Sequence, residues 1–156
     1  NFNIWLPMKG MLPSEVFFLK PDPDITLTSP SSAQIPVTVG GYQVSDKGLY
    51  IDSGRGFTVS SVIKPDFVAP AVNVQGVGVR DNYVTASGTS VAAAVTAGAC
   101  AQIMEWGIYR QENLALNSVE IGNLLIRGCD RSRELVYPNT AWGYGRLDAY
   151  QAILAL

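Results

Sequence analysis

A run of small residues between positions 92 and 101 constrains the fold of this chain more than any other feature. Most of these residues are alanine or glycine, and large side chains return only at Ile103, Met104 and Trp106. Gly107 then supplies a stop signal for a helix. We predict a helix from Ser90 to about Trp106 that lies close to neighbouring backbone, and therefore in the interior of the fold.

The segment before this helix predicts a sharp strand-to-helix turn. Tyr83 to Ala86 forms a short predicted strand, Gly88 permits the turn, and Ser90 stands at the helix entrance. A helix N-terminus offers unpaired N–H groups and a partial positive charge, which favour an oxyanion formed beside a serine. Ser90 therefore has two interpretations, a nucleophile for acyl transfer or simply a residue that caps the helix.

The absence of histidine restricts the chemistry of this chain. A serine hydroxyl ordinarily needs a neighbouring base to become nucleophilic, and the sequence of 156 residues contains no histidine. The cysteines, Cys100 and Cys129, have no histidine partner either, which excludes a Cys/His nucleophile and a Cys/His zinc site within the chain. Cys100 lies among alanines, so we expect a small buried apolar side chain there.

The remaining periodic segments indicate an α/β layer structure. Asn117 and Glu120 form a predicted capping box for a helix that ends at Gly128, and a final helix begins near Leu147 or Asp148. The other short apolar runs are predicted strands at Phe2–Leu6, at about Ile35–Val39 (closed by Gly40 and Gly41), at Leu49–Ile51 and at Ala71–Val74.

Composition argues against several kinds of partner. Charged residues make up 15% of the chain and the net charge is −2, with no basic block, so nucleic-acid binding has little electrostatic support. The apolar run from Val91 to Met104 is too short and too rich in small residues to predict a membrane span. No cofactor or metal-binding motif is predicted. The hydrophobic fraction of 47% indicates a covered sheet or a fragment whose partner is missing.

The segment SGTSVAAAVTAG, residues 87–98, resembles the signature around the catalytic serine of the subtilisin-like serine proteases. The usual form is G-T-S, a hydrophobe, A, x, P, x, x, A, G, and Gly88, Thr89 and Ser90 match its first three positions. Ala94 replaces the proline of the family, which lies in the first turn of the helix, where proline is tolerated but not required.

Two further segments resemble the same family in the same order. IKPDFVAPAVNV, residues 63–74, is similar to the stretch that precedes the serine, with Ala71 where glycine is usual. WGYGRLDAYQAI, residues 142–153, is similar to the segment that closes the catalytic domain. The resemblance covers roughly residues 33–156 and leaves residues 1–32 as an irregular N-terminal segment.

The resemblance implies a fold and a site. The fold would be the C-terminal part of a subtilisin-like three-layer α/β structure, with a mostly parallel sheet and a buried central helix that starts at the nucleophile. Ser90 would be the nucleophile of a serine endopeptidase, with Gly88 and Thr89 supporting the turn and the oxyanion site. Subtilases supply their triad in the order Asp, His, Ser, so the Asp and the His would lie on a preceding part.

The implied partners follow from that division. They are a peptide or protein substrate and the N-terminal part of the catalytic domain that carries the Asp and the His. Alone, the chain is expected to be inactive and to self-associate. Asp66 and Asp148 fall in family segments where such residues are structural.

Some segments, including YIDSGRGF and LLIRGCDR, also resemble the branch of bacterial subtilases that includes spore-germination proteases. A jelly-roll insertion splits the catalytic domain in that branch, and residues 1–32 would then include its end. Two alternatives stay open: a pseudoprotease or regulatory binding module on a subtilase fold, and an α/β structural domain in which Ser90 is only a cap.

Overall fold

The structure is a computed structural model and describes residues 3–7, 10–109 and 116–155. The described residues before the first strand form turns and irregular chain. The strands are β1 (Val39–Tyr42), β2 (Phe67–Pro70), β3 (Val74–Val77) and β4 (Tyr83–Ala86), and the helices are α1 (Thr89–Tyr109), α2 (Ser118–Gly128) and α3 (Ala149–Leu154).

A parallel pair of strands forms the interior of the fold. β1 and β2 run parallel with Val39 opposite Phe67, and a parallel bridge from Val68 to Arg146 places a further segment beside β2. Phe67, Val68 and Ala69 are fully buried, as is typical of a strand that is covered on both faces of a parallel sheet. The α/β class predicted from the sequence is therefore confirmed.

A glycine pair lies inside β1 instead of ending it. The strand predicted at Ile35–Val39 is wrong in its bounds, because the observed strand is Val39–Tyr42 and contains both Gly40 and Gly41. A β-carbon on Gly41 would stand 2.5 Å from the β-carbon of Ala71, which is closer than such atoms come in proteins. These glycines allow close approach of two chain segments, and they do not mark a turn.

Three other predicted strands are wrong. Of Phe2–Leu6, the structure describes residues 3–6, and these have no strand pairing; Leu49–Ile51 retains only one antiparallel bridge, to β1. Ala71–Val74 lies at the junction of β2 and β3, where Asn73 takes a left-handed φ of 52°. Apolar composition alone does not tell where a partner strand will lie.

The predicted signals at the ends of α2 and α3 are confirmed. Asn117 Oδ1 accepts the amide of Glu120 at 3.0 Å, and Glu120 Oε2 accepts the amide of Asn117 at 2.8 Å. Helix α2 ends at Gly128, and Asp148 caps α3 by accepting the amide of Gln151. The two helices pack together, α1 packs on β1, β2 and α3, and residues of all three helices join Phe67 in one buried cluster.

Helix α1 buries one face and leaves the opposite face uncovered in this chain. Ala99 and Ile103 join Phe67 and Leu125 in a buried apolar cluster. The expected burial of the helix therefore holds for one face, because the described chain supplies packing partners on one side only. The exposed residues of the opposite face are mainly small or apolar: Ala94, Ala97, Gly98, Ala101, Met104 and Ile108.

The observed α1 is longer than the apolar run from Val91 to Met104 that the sequence shows. Its 21 residues are long and apolar enough to cross a membrane by length and composition, and 28% of the most apolar window is buried in this structure. A core helix of a soluble protein passes the same test, so the prediction that the chain does not span a membrane stays a prediction.

Candidate active site

Ser90 is the second residue of α1 and follows a short turn from β4, which has its predicted bounds. The carbonyl of Gly88 accepts the amides of Val91 at 3.0 Å and Ala92 at 3.3 Å. Gly88 therefore occupies the N-cap position, with Thr89 as the first helical residue. The interpretation of Ser90 as the cap of α1 is wrong, because Ser90 already lies within the first turn.

Both polar groups of Ser90 are available to an incoming molecule. The residue is exposed, and neither its Oγ nor its backbone amide hydrogen bonds to another residue in the part of the chain that the structure describes. Amides of the first turn have no partner within the helix and lie at its partially positive end. The turn can therefore present a hydroxyl and an N–H donor to the same group.

Gly88 makes this arrangement possible through its backbone conformation. Its φ is +147°, a value that side-chain-bearing residues rarely adopt, and a β-carbon there would stand 3.3 Å from Ser90 Oγ. The absence of a side chain thus permits the turn and also leaves space beside the hydroxyl of Ser90.

The turn is attached to the buried sheet. The amide of Gly88 donates to the carbonyl of Ala71 at 2.8 Å, and the amide of Ala71 donates to the carbonyl of Tyr42 at 2.9 Å. Ala71 is fully buried. Sequence reasoning missed this anchor, because a backbone hydrogen bond between distant residues requires no particular side chain and leaves no signal in the sequence.

A cavity of about 440 Å³ lies beside Thr89, the neighbour of Ser90. Residues from segments 23–31 and 51–55 form most of its wall, together with the buried Thr38 and Ser53. The hydroxyls of Thr38 and Ser53 are both hydrogen bonded to backbone groups. The cavity can therefore admit a side chain of moderate size without leaving these buried hydroxyls unpaired.

Asp66 has the structural role expected of it. Its Oδ2 accepts the amide of Thr38 and the ammonium of Lys64, each at 2.7 Å. Lys64 is buried and also donates to the carbonyl of Pro36 at 2.7 Å. The pair thereby ties the chain before β1 to the chain before β2. Asp148 also has a structural role, because its side chain caps α3.

No group within the described part of the chain is placed to accept the proton of Ser90. The sequence has no histidine, and no carboxylate within residues 3–7, 10–109 and 116–155 hydrogen bonds to Ser90 Oγ. The same residues contain no group of three or more His, Cys, Asp or Glu side chains that could hold a metal ion. The described residues therefore offer no base to Ser90.

The two cysteines are thiols of low reactivity. Burial raises the pKa of Cys129 from 9.0 to about 12, and its Sγ donates to the carbonyl of Leu125 at 3.2 Å. Burial also raises the pKa of the half-buried Cys100. Because the thiolate is the reactive form, neither cysteine has the properties of a nucleophile.

This chain is similar in sequence to one family of known proteins. The family model for peptidase S8, the subtilase family, matches residues 20–145. The serine protease AprX of Bacillus subtilis is 30% identical over an alignment that covers 82% of this chain and 32% of AprX.

Solved structures give the same fold. The CspB protease of Clostridium perfringens superimposes with a TM-score of 0.81 and 35% identity over 87% of this chain and 30% of CspB. The prenylagaramide maturation protease PagA superimposes with a TM-score of 0.70 at 23% identity over 86% of this chain and 47% of PagA, which supports the fold alone. The chain spans about a third of the length of AprX and of CspB.

Proposed function

Because this chain belongs to the subtilase family, we propose that it carries the nucleophile of a serine endopeptidase, Ser90, and depends on other protein for the base. The observation that carries the proposal is the exposed hydroxyl of Ser90 at the start of α1, beside its own backbone amide and a glycine turn; neither polar group has a hydrogen-bond partner among the described residues. The polypeptide that joins this sequence to the rest of its catalytic domain is called the parent protein.

The proposed chemistry is acyl transfer to Ser90. A histidine of the parent protein takes the proton of Ser90 Oγ as the oxygen bonds to the carbonyl carbon of the substrate. The backbone amide of Ser90 donates to the developing oxyanion, and the bond to the amine then breaks as the histidine returns the proton. The cavity beside Thr89 would hold a substrate side chain close to the scissile bond.

The uncovered face of α1 supports a particular placement for the missing part. Ala94, Ala97 and Ala101 follow Ser90 at spacings of three and four residues, so they share its face of the helix. These residues are exposed in this chain, and small side chains let another backbone approach closely. We infer that the N-terminal part of the catalytic domain covers this face and thereby brings its Asp and His to Ser90.

The isolated chain should therefore lack peptidase activity and expose apolar surface. Without the triad histidine, only the oxyanion site and substrate binding would assist hydrolysis, and these give a small fraction of the normal rate. The exposed side of α1 would favour self-association of the chain when its partner is absent.

Replacement of Ser90 in the parent protein tests the proposed function. Ser90→Ala should abolish hydrolysis of peptide substrates and leave the melting temperature close to that of the wild type. Ser132→Ala is the matched control, because Ser132 lies in the segment after α2 and its Oγ accepts a backbone amide, that of Glu134, at 3.3 Å. A Ser90→Ala protein that still hydrolyses peptides, or a wild-type parent without activity, would contradict the proposal; the second result would favour the pseudoprotease alternative.

A further inference from the structure

Ser87 lies three residues before the nucleophile and makes a hydrogen bond that no part of the proposed mechanism uses. Its Oγ accepts the backbone amide of Asn73 at 2.8 Å. We propose that Ser87 is a positioning residue that holds the turn of Ser90 in its working orientation. This inference rests on the proposed function of Ser90.

The first reason is the freedom of the bend between Ser87 and Ser90. Gly88 adopts a φ of +147°, and a glycine that permits such a conformation does not by itself fix it, because glycine has the widest range of backbone conformations. The orientation must be set by contacts on either side. On the helix side, the Gly88 carbonyl accepts two amides of α1.

The second reason is the lack of packing on the strand side. All four residues of β4 are exposed, and Tyr83 and Val84 are 68% and 46% exposed. Apolar burial therefore does little to fix the direction in which β4 enters the turn. That direction is set by three sets of hydrogen bonds. These are the β3–β4 ladder, the bond from the amide of Gly88 to the carbonyl of Ala71, and the bond from the amide of Asn73 to the hydroxyl of Ser87.

The third reason is the position of Ser87 relative to the ladder. The last pair of the antiparallel ribbon joins Val74 to Ala86. One residue further, Asn73 has a left-handed φ of 52°, and its amide is met by the Ser87 side chain instead of a backbone carbonyl. The hydroxyl thus supplies the next hydrogen bond beyond the ladder and extends the pairing almost to Gly88.

The expected consequence is catalytic more than structural. Both Ser87 and Asn73 are exposed, so water can replace the lost hydrogen bond and the change in overall stability should be small. The orientation of Ser90 is more sensitive, since small displacements of a reacting group lower the rate of the chemical step.

The test compares Ser87→Ala, Ser87→Thr and the control Ser132→Ala in the parent protein, with kcat normalised by active-site titration. Ser87→Ala should lower kcat about three- to tenfold, the rate equivalent of one ordinary hydrogen bond, while KM and the melting temperature stay close to wild type. Ser87→Thr keeps a hydroxyl and should restore most of kcat. Ser132→Ala should leave kcat unchanged.

The outcomes separate this inference from the proposed function. If Ser90→Ala is inactive and Ser87→Ala keeps the kcat of the wild type, the positioning role is overturned and the nucleophile stands. A change confined to KM, or a loss of kcat that Ser87→Thr does not restore, also overturns the positioning role. If Ser90→Ala remains active, the proposed function fails, and the role of Ser87 fails with it.

Discussion

A β-carbon placed on Gly88 would lie 3.3 Å from Ser90 Oγ. The residue that allows β4 to turn into α1 is therefore also the residue that keeps one side of the proposed nucleophile open. Replacing Gly88 by alanine changes both properties together, and the same substitution at Gly10 measures the cost of a strained φ alone.

Gly88→Ala in the parent protein should lower kcat/KM about ten- to hundredfold. The substitution forces a strained φ, which costs on the order of 1–3 kcal/mol, and it crowds Ser90 Oγ. Gly10→Ala is the control, because Gly10 has a φ of +93° and an added β-carbon there has no described atom within 4 Å. It should cost stability without loss of kcat/KM. Equal activity of Gly88→Ala and wild type would contradict this account of the turn.

Gly98→Leu tests the proposed covering of α1. An added β-carbon at Gly98 has nothing within 4 Å among the described residues, so leucine should raise the free energy of unfolding of the isolated chain by up to about 1 kcal/mol through helix propensity. In the parent protein the same side chain would meet the covering backbone and should remove most of the activity. Gly98→Ala is the graded control, and in the isolated chain it should add up to about 1 kcal/mol from helix propensity. A fully active Gly98→Leu parent would show that this face stays uncovered.

Lys64→Met should destabilise this chain by about 3–5 kcal/mol, because it leaves the carboxylate of Asp66 without its buried partner. The side chains of Lys64 and Asp66 are only 4% and 14% exposed. Asp130→Asn weakens the ion pair with Arg146, in which Asp130 is 53% exposed, and should cost less than about 1 kcal/mol. Urea denaturation measures both changes, and similar losses in the two variants would refute the distinction.

Cys129 should make the chain less stable at alkaline pH. Burial raises its pKa from 9.0 to about 12 in the folded chain, so the unfolded chain releases this proton more readily. The stabilising contribution is complete below pH 9 and is lost as the pH rises through the folded pKa of about 12. The free energy of unfolding should fall more steeply with pH in the wild type than in Cys129→Ala. Parallel pH profiles would be evidence against a raised pKa.

The secondary structure around the candidate site could be predicted from local sequence signals. β4, the turn at Gly88 and the start of α1 follow from residues adjacent in the chain, and the capping box of Asn117 and Glu120 is equally local. The packing of β1 was not predictable in this way. Gly40 and Gly41 lie within this strand because of the approach of Ala71 and other distant residues, and no pattern near the glycines records that approach.

The same distinction between local signals and contacts with distant residues applies to the candidate site. The residue types identify Gly88, Thr89 and Ser90 as candidate site residues. The hydrogen bonds from Gly88 to Ala71 and from Asn73 to Ser87 join segments that are not adjacent in the sequence, so no local pattern predicts them. The one-sided burial of α1 was also hidden, because small residues all around a helix give no indication of which face this chain covers.

The most direct test of the central claim is the rate at which a fluorophosphonate labels Ser90. In the purified 156-residue chain, labelling should be slow and incomplete, because no base accepts the proton of the hydroxyl. In the parent protein, or after addition of the part that carries the Asp and the His, labelling should become rapid and stoichiometric at Ser90. Rapid, stoichiometric labelling of the isolated chain, or no labelling of Ser90 in an active parent protein, would contradict the account.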